Sequence, residues 1–228
     1  MPRIGLISHP GKQRFRIGLI GNPSGYSYRN SDCINQVIET GRLCEALGHR
    51  VEEIPFPFHP QVMNDFFVYW AALAFSFYHF GEKIVGSTID KNKLEKFTLG
   101  LSRYFRKNIL KTPFVIRRLR KFAHQYETLF GEYDILLSLT ASGSAPKLGY
   151  LNTEIDFDIA FERLKQFIPF TAYHNLAGAP AISLPLGQCK NGLPVGIQFA
   201  APYGQEKRLI ELALELEEAK PWSILSEV

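Results

Sequence analysis

The sequence predicts an α/β fold, and three observations predict it. Residues 16–54 pass from an apolar run through a helical period to a second extended run. Residues 134–139 read as a buried strand, and from Ala181 to Pro221 two apolar runs lead into an amphipathic helix. With 228 residues and 46% apolar side chains, the chain has ample material for a core.

Charge and cysteine usage narrow the class. A net charge of +4 is mild for this length, so no nucleic-acid partner is expected. Cys33, Cys44 and Cys189 are scattered, with no C-x-x-C and no histidine at ligand spacing, so neither a metal nor a cofactor is expected. The first twenty residues carry Arg3, Lys12, Arg14 and Arg16 around short apolar runs, which predicts no signal peptide. No transmembrane span is predicted either, and a reducing cytoplasm is the expected location.

The first element pair begins with Arg16-Ile17-Gly18-Leu19-Ile20, which echoes Arg3 to Ile7 without making a repeat architecture. A loop at Gly21-Asn22-Pro23-Ser24-Gly25 follows, then a helix that Asn30 or Ser31 can cap. Ile34, Val37, Ile38, Cys44 and Leu47 mark its apolar face, Gly48 ends it, and Arg50 to Ile54 is extended again. This is a β-α-β unit. Its glycines, spaced Gly18-x-x-Gly21-x-x-x-Gly25, match neither G-x-G-x-x-G nor the P-loop, and no acid closes the second strand, so the turn reads as an ordinary loop.

Phe66 to Phe80 holds eight aromatic residues in fifteen and reads as a helix, short of the roughly 20 residues a bilayer requires. It is expected to be buried; the functional alternative is that it lines an apolar substrate channel or dips into a membrane surface. His79 reads as an interfacial or hydrogen-bonded histidine. Between Glu95 and Glu127 there are nine lysines and arginines and no carboxylate, and Pro113 divides this basic stretch into helices of about 93–111 and 114–130. Its face is expected to be solvated; with Tyr104, Phe105 and Phe122 interleaved, the alternative is binding to RNA or anionic lipid. Residues 55–130 thus look like a helical, aromatic and basic insertion in a single domain spanning 1–228. Phe157 to Phe167 reads as a helix, with Asp156 and Asp158 at its start, where carboxylates suit the helix dipole.

Ala181 to Pro185 and Leu193 to Ala201 read as neighbouring strands, joined through the Asn191-Gly192 turn by more than a tight two-residue hairpin. From Gln205 the period is helical, with Leu209, Ile210, Ala213, Leu214 and Leu216 expected inward, Glu211, Glu215 and Glu218 outward, and Pro221 as the stop.

The run Asn-Leu-Ala-Gly-x-Pro-Ala-Ile-Ser-x-Pro-Leu-Gly at Asn175 to Gly187, followed by Gly192 to Gln198 and by a helix ending at Pro221-Trp222, resembles the C-terminal end of the amidase signature hydrolases. Lys147-Leu148-Gly149 resembles relatives of the cyclic-dimer nylon-oligomer hydrolases, and Ser138-Leu139-Thr140 stands where the family commonly has Thr-Pro-Thr. The resemblance implies part of an α/β/α fold, a mixed β-sheet flanked by helices. It also implies hydrolysis of carbon–nitrogen amide bonds by a lysine that deprotonates, through one serine, a second nucleophilic serine.

None of that catalytic set is matched here. Ser142-Gly143-Ser144 lacks the paired glycines and adjacent serines of the signature and reads as a turn, so no catalytic residue is carried over. Thr171, Asn175 and Gly178 fall in the loop that the resemblance places near the catalytic centre, and are expected as substrate-binding or scaffold positions. The expectation is a C-terminal amidase portion that is inactive alone, whose partner is a separate N-terminal half or a second copy, with a small-molecule amide bound only on complementation. The alternative is a non-catalytic module binding RNA or an anionic membrane through its basic helices.

Overall fold

The computed structural model describes residues 4–21, 31–190 and 192–222, the side chains of Ser31 and Asp32 excepted. The loop expected at 22–25, the cap expected at Asn30 or Ser31 and the turn residue Asn191 fall outside that description. In chain order the elements are β1 (Arg16–Ile20), α1 (Ser31–Ala46), β2 (Arg50–Ile54), α2 (Gln61–Val85), α3 (Lys96–Asn108) and α4 (Thr112–Leu129). There follow β3 (Ile135–Leu139), α5 (Phe157–Phe167), α6 (Thr171–Ala177), β4 (Ala181–Gln188), β5 (Pro194–Ala200) and α7 (Glu206–Ala219). They form two compact units, one of residues 1–58, 124–145 and 168–228, the other of 59–123 and 146–167.

The first unit is built on a five-stranded mixed sheet in the order β2-β1-β3-β5-β4. β1 runs parallel to both β2 and β3, whereas β5 is antiparallel to β3 and to β4. Every residue of β3 is buried, as befits a central strand of sequence Ile-Leu-Leu-Ser-Leu. β2 is an edge strand, and its exposed Glu52 and Glu53 suit an edge. Helix α1 packs on the sheet: Gly41 sits over Leu19 and Val51, and Gly187 of β4 lies against Gln36. The predicted β-α-β unit and strand pair are therefore both present.

Two expectations about this unit need correction. β4 does not stop at Pro185; it continues to Gln188 through a register shift between Leu184 and Gly187. A proline lacks the N–H a ladder needs, and an edge bulge is where a strand tolerates one. The inward face of α7 is Leu209, Leu212, Glu215 and Leu216, while Ile210 is exposed. Glu215 faces inward because it meets buried His49 (3.1 Å) and Arg14 (2.9 Å).

The second unit is helical. α2 runs ten residues beyond the expected aromatic core, from Gln61 to Val85, and ends at Gly86 in the left-handed conformation. It is not buried all round: Phe67, Val68 and Ala71 point inward, but Tyr69, Leu73, Phe80, Ile84 and Val85 are exposed, as is His79. Pro113 falls in the first turn of α4, where its missing N–H costs nothing, and the helix break precedes it as a short 3₁₀ turn at Ile109–Lys111. Phe105 and Phe122 are buried, so two of the three interleaved aromatics face the core and offer no stacking surface to a nucleic acid. Asp156 caps α5, its Oδ1 accepting from the N–H groups of Asp158 and Ile159 (3.0 and 3.2 Å). Among the described residues no helix is long and apolar enough to cross a membrane.

Candidate functional site

Thr171, Asn175 and Gly178 do not lie in a loop. They lie on α6 and its cap, a short helix closed by Gly178 at φ +65°. Positions spaced i, i+4 and i+7 share one helix face, so the fold brings the three together. Asn175 and Gly178 are exposed and Thr171 is half-buried, while Ala172, Tyr173 and His174 form the inward side.

That inward side is fixed by aromatic packing. Phe58 stacks on Tyr173 at 4.7 Å and on Tyr126 at 5.5 Å, and Phe56 meets Tyr173 edge-on at 5.2 Å. The Tyr126 hydroxyl lies 2.6 Å from His174 Nδ1. Burial holds the His174 imidazole down to about 4 and pushes the Tyr126 phenol up, so both are neutral at pH 7. The pair anchors α6 and is not a proton donor–acceptor couple at that pH.

A row of polar groups crosses the three neighbouring strands. Ser138 pairs with Gln198, and Gln198 with Ser183, so the three side chains share one face of the sheet. Just beyond β3 the Thr140 N–H donates to the Gly196 carbonyl (3.0 Å), and the Thr140 and Ser183 hydroxyls meet at 2.6 Å. They meet over Gly196, where an added Cβ would lie 2.8 Å from Ser183 Oγ and 2.9 Å from Thr140 Oγ1. Gln198 Oε1 is a buried acceptor with no hydrogen-bond partner among the described residues. Hydroxyls and an amide in this arrangement can hydrogen-bond an amide group. They do not activate a nucleophile, which requires a base.

Nothing local in the sequence groups Ser138, Thr140, Ser183 and Gln198. Ser138 and Thr140 stood out as the departure from Thr-Pro-Thr, and Ser183 and Gln198 sat inside the recognised motifs. The signal that would have joined them is the alternation of β5, where Gly196 and Gln198 share a face, combined with the register of its neighbours. Ser142 to Ser144 form consecutive bends after β3, as expected of a turn.

A second titratable cluster lies at Phe15, where β1 begins. The Phe15 N–H donates to His49 Nδ1 (3.1 Å), which leaves Nε2 to donate to Glu215 Oε2. Burial lowers the His49 pKa, opposed by Glu215. The imidazole side chain is fully buried and stacks flat on Phe15, which marks the cluster as structural. In the helical unit, a cavity of about 630 Å³ is lined by Trp70, Leu73, Phe77, Phe97, Leu101 and Leu164. Its volume falls in the range of small-molecule sites. Among the described residues no group of histidines, cysteines and carboxylates can hold a metal ion.

Comparison with known proteins bears on the family and the fold. The Amidase family profile matches residues 8–210. A putative amidase AmiC of Mycobacterium leprae is 40% identical over 98% of the chain, which covers 47% of that protein. A 6-aminohexanoate-cyclic-dimer hydrolase of Paenarthrobacter ureafaciens is 26% identical over 96% of the chain and is covered to 46%. The chain thus spans about half the length of the curated relatives it matches. The solved structure of a 6-aminohexanoate cyclic dimer hydrolase with its substrate superimposes with a TM-score of 0.75 over 93% of this chain and 46% of the other, at 23% identity. That likeness shows the shared fold: a mixed sheet flanked by helices. By the extent of the profile match and by its 40% identity to a relative along nearly its whole length, the chain belongs to the amidase family.

Proposed function

We propose that this chain is the C-terminal portion of a serine amidase that hydrolyses carbon–nitrogen amide bonds, of the cyclic-amide or nylon-oligomer type, and that it is inactive alone. On this reading the chain supplies scaffold and substrate-side groups, and the serine–serine–lysine machinery of the family comes from an N-terminal half. The Thr140–Ser183 hydroxyl pair carries the reading: it is a hydrogen-bonding surface suited to an amide, built on strands within the matched region, with no base of its own. The outward face of α6, with Thr171, Asn175 and Gly178, serves as a second substrate-side surface. Sequence similarity to a 6-aminohexanoate-cyclic-dimer hydrolase supports the substrate type.

The test is complementation. Purified alone, the chain should hydrolyse 6-aminohexanoate cyclic dimer at the background rate. Mixed with the separately expressed N-terminal half of the Mycobacterium leprae relative, it should gain turnover, and Thr171→Ala and Asn175→Ala should each lower that turnover several-fold. Turnover by the chain alone, abolished by Ser142→Ala or Ser144→Ala, would overturn the proposal.

A second reading is favoured by one observation. Ile109, Leu110, Phe114 and Ile116 are exposed at 45, 89, 65 and 44%, and Lys107, Lys111 and Arg117 stand among them. An apolar tip ringed by cations suits an anionic membrane surface. Flotation with phosphatidylserine vesicles but not with phosphatidylcholine vesicles, lost in Leu110→Ser/Phe114→Ser, would support that reading over a purely solvated face.

A further inference from the structure

We propose that Cys33 and Cys189 are a peroxide-sensitive thiol pair that closes to a disulfide between α1 and the residue after β4. The two sulfurs are 3.1 Å apart although 156 positions separate them in the chain. Both side chains are buried, Cys33 completely and Cys189 to 5% exposure. About 1 Å of further approach reaches the disulfide length of ~2.05 Å.

The backbones on both sides are held by hydrogen bonds. Gln36, one helical turn beyond Cys33, accepts through Oε1 from the Gln188 N–H (3.2 Å), so a hydrogen bond and a thiol contact lie side by side between the same elements. Cys189 donates its N–H to the Leu193 carbonyl (2.8 Å) and accepts from the Gly192 N–H (2.9 Å). The thiols are thus presented to each other by a helix and by a residue whose backbone N–H and carbonyl are both hydrogen-bonded.

The oxidant is a hydroperoxide. Cys189, the less buried sulfur, attacks the terminal oxygen: the O–O bond breaks, an S–O bond forms, and the remaining oxygen leaves with the thiol proton as an alcohol, or as water from hydrogen peroxide, giving a sulfenic acid. The Cys33 sulfur then attacks the sulfenic sulfur: the S–S bond forms, the S–O bond breaks, and the hydroxide leaves as water with the Cys33 proton. The thiol pair loses two electrons and the peroxide gains two. Cys44 serves as an internal control, because burial, with Glu215 and Glu45 adding to it, pushes its thiol up to about 12.

The reduced, full-length chain is treated with hydrogen peroxide, quenched with catalase, then blocked with N-ethylmaleimide in urea and digested with trypsin without reduction. The expected product joins peptide 30–42, which holds Cys33, to peptide 166–190, which holds Cys189. Peptide 43–50, which holds Cys44, should appear as a single maleimide adduct. Peroxide should raise the Tm of the parent and of Cys44→Ser by several degrees, reversibly with dithiothreitol, and leave that of Cys189→Ser unchanged. Recovery of the two cysteine peptides as separate adducts under conditions that oxidise glutathione overturns the proposal. So does a link that involves Cys44, or one that forms only in urea.

Discussion

At the scale of single residues, two positions carry sharp expectations. A methyl group at 196 would collide with both hydroxyls of the Thr140–Ser183 pair, and neither can retreat without breaking their 2.6 Å contact. Gly196→Ala should therefore cost about 1–3 kcal/mol in urea unfolding, whereas Ser183→Ala in the same background should relieve part of the loss. His174 is held neutral in the fold, with its pKa near 4 against an ordinary 6.5. An unfolded chain then binds the proton more readily than the folded one. Its contribution is complete above pH 6.5 and falls away as pH drops towards 4, by up to about 3 kcal/mol. His49 shifts in the same direction, so His174→Gln should flatten the pH dependence of the urea midpoint only in part.

At the scale of elements, the Asp65–Arg118 bridge links α2 to α4 within the helical unit. Arg118 Nε and Nη2 donate to the two oxygens of Asp65 at 2.6 and 2.7 Å, and Gln61 adds a third bond at 3.0 Å. Asp65 is buried, but the Arg118 side chain is 45% exposed. Removing the arginine strands a buried carboxylate; removing the carboxylate leaves a guanidinium that water can reach. Arg118→Ala should cost about 2–3 kcal/mol and Asp65→Ala nearer 1 kcal/mol, as read from thermal or urea unfolding of the two variants. Elements were the most legible level in the sequence. β1, β2, β3, α5 and α7 follow from their periods, and Gly48 and Pro221 punctuate as their chemistry demands. Less was legible where a partner distant in sequence decides. Glu215 looks like a solvent-facing glutamate until His49 and Arg14 are known to lie beside it. α6 is too short to announce itself by period, and its helix rests on the aromatic cluster of Phe56, Phe58, Tyr126 and Tyr173. The Cys33–Cys189 contact and the Thr140–Ser183 pair depend on register and packing that no local pattern encodes.

At the scale of the whole molecule, the sheet ends, among the described residues, in the edge strands β2 and β4, and the chain matches about half the length of its relatives. β4 is long for an edge strand but interrupted at Pro185, so only Ala181 to Leu184 present a regular edge. An added strand, from an N-terminal half or from a second copy, should pair there. Sedimentation of the chain should show concentration-dependent association, and Ser183→Pro, which twists and interrupts that stretch, should weaken it. The discontinuous first unit also dictates an order of events during synthesis. β1 is separated from its partner β3 by more than a hundred residues, with Ile17 set against Ile135, and β5 and β4 follow β3 in the chain. A nascent chain therefore carries an incomplete sheet from the synthesis of β1 to that of β5, and the slow, non-local closure falls after residue 200 has emerged.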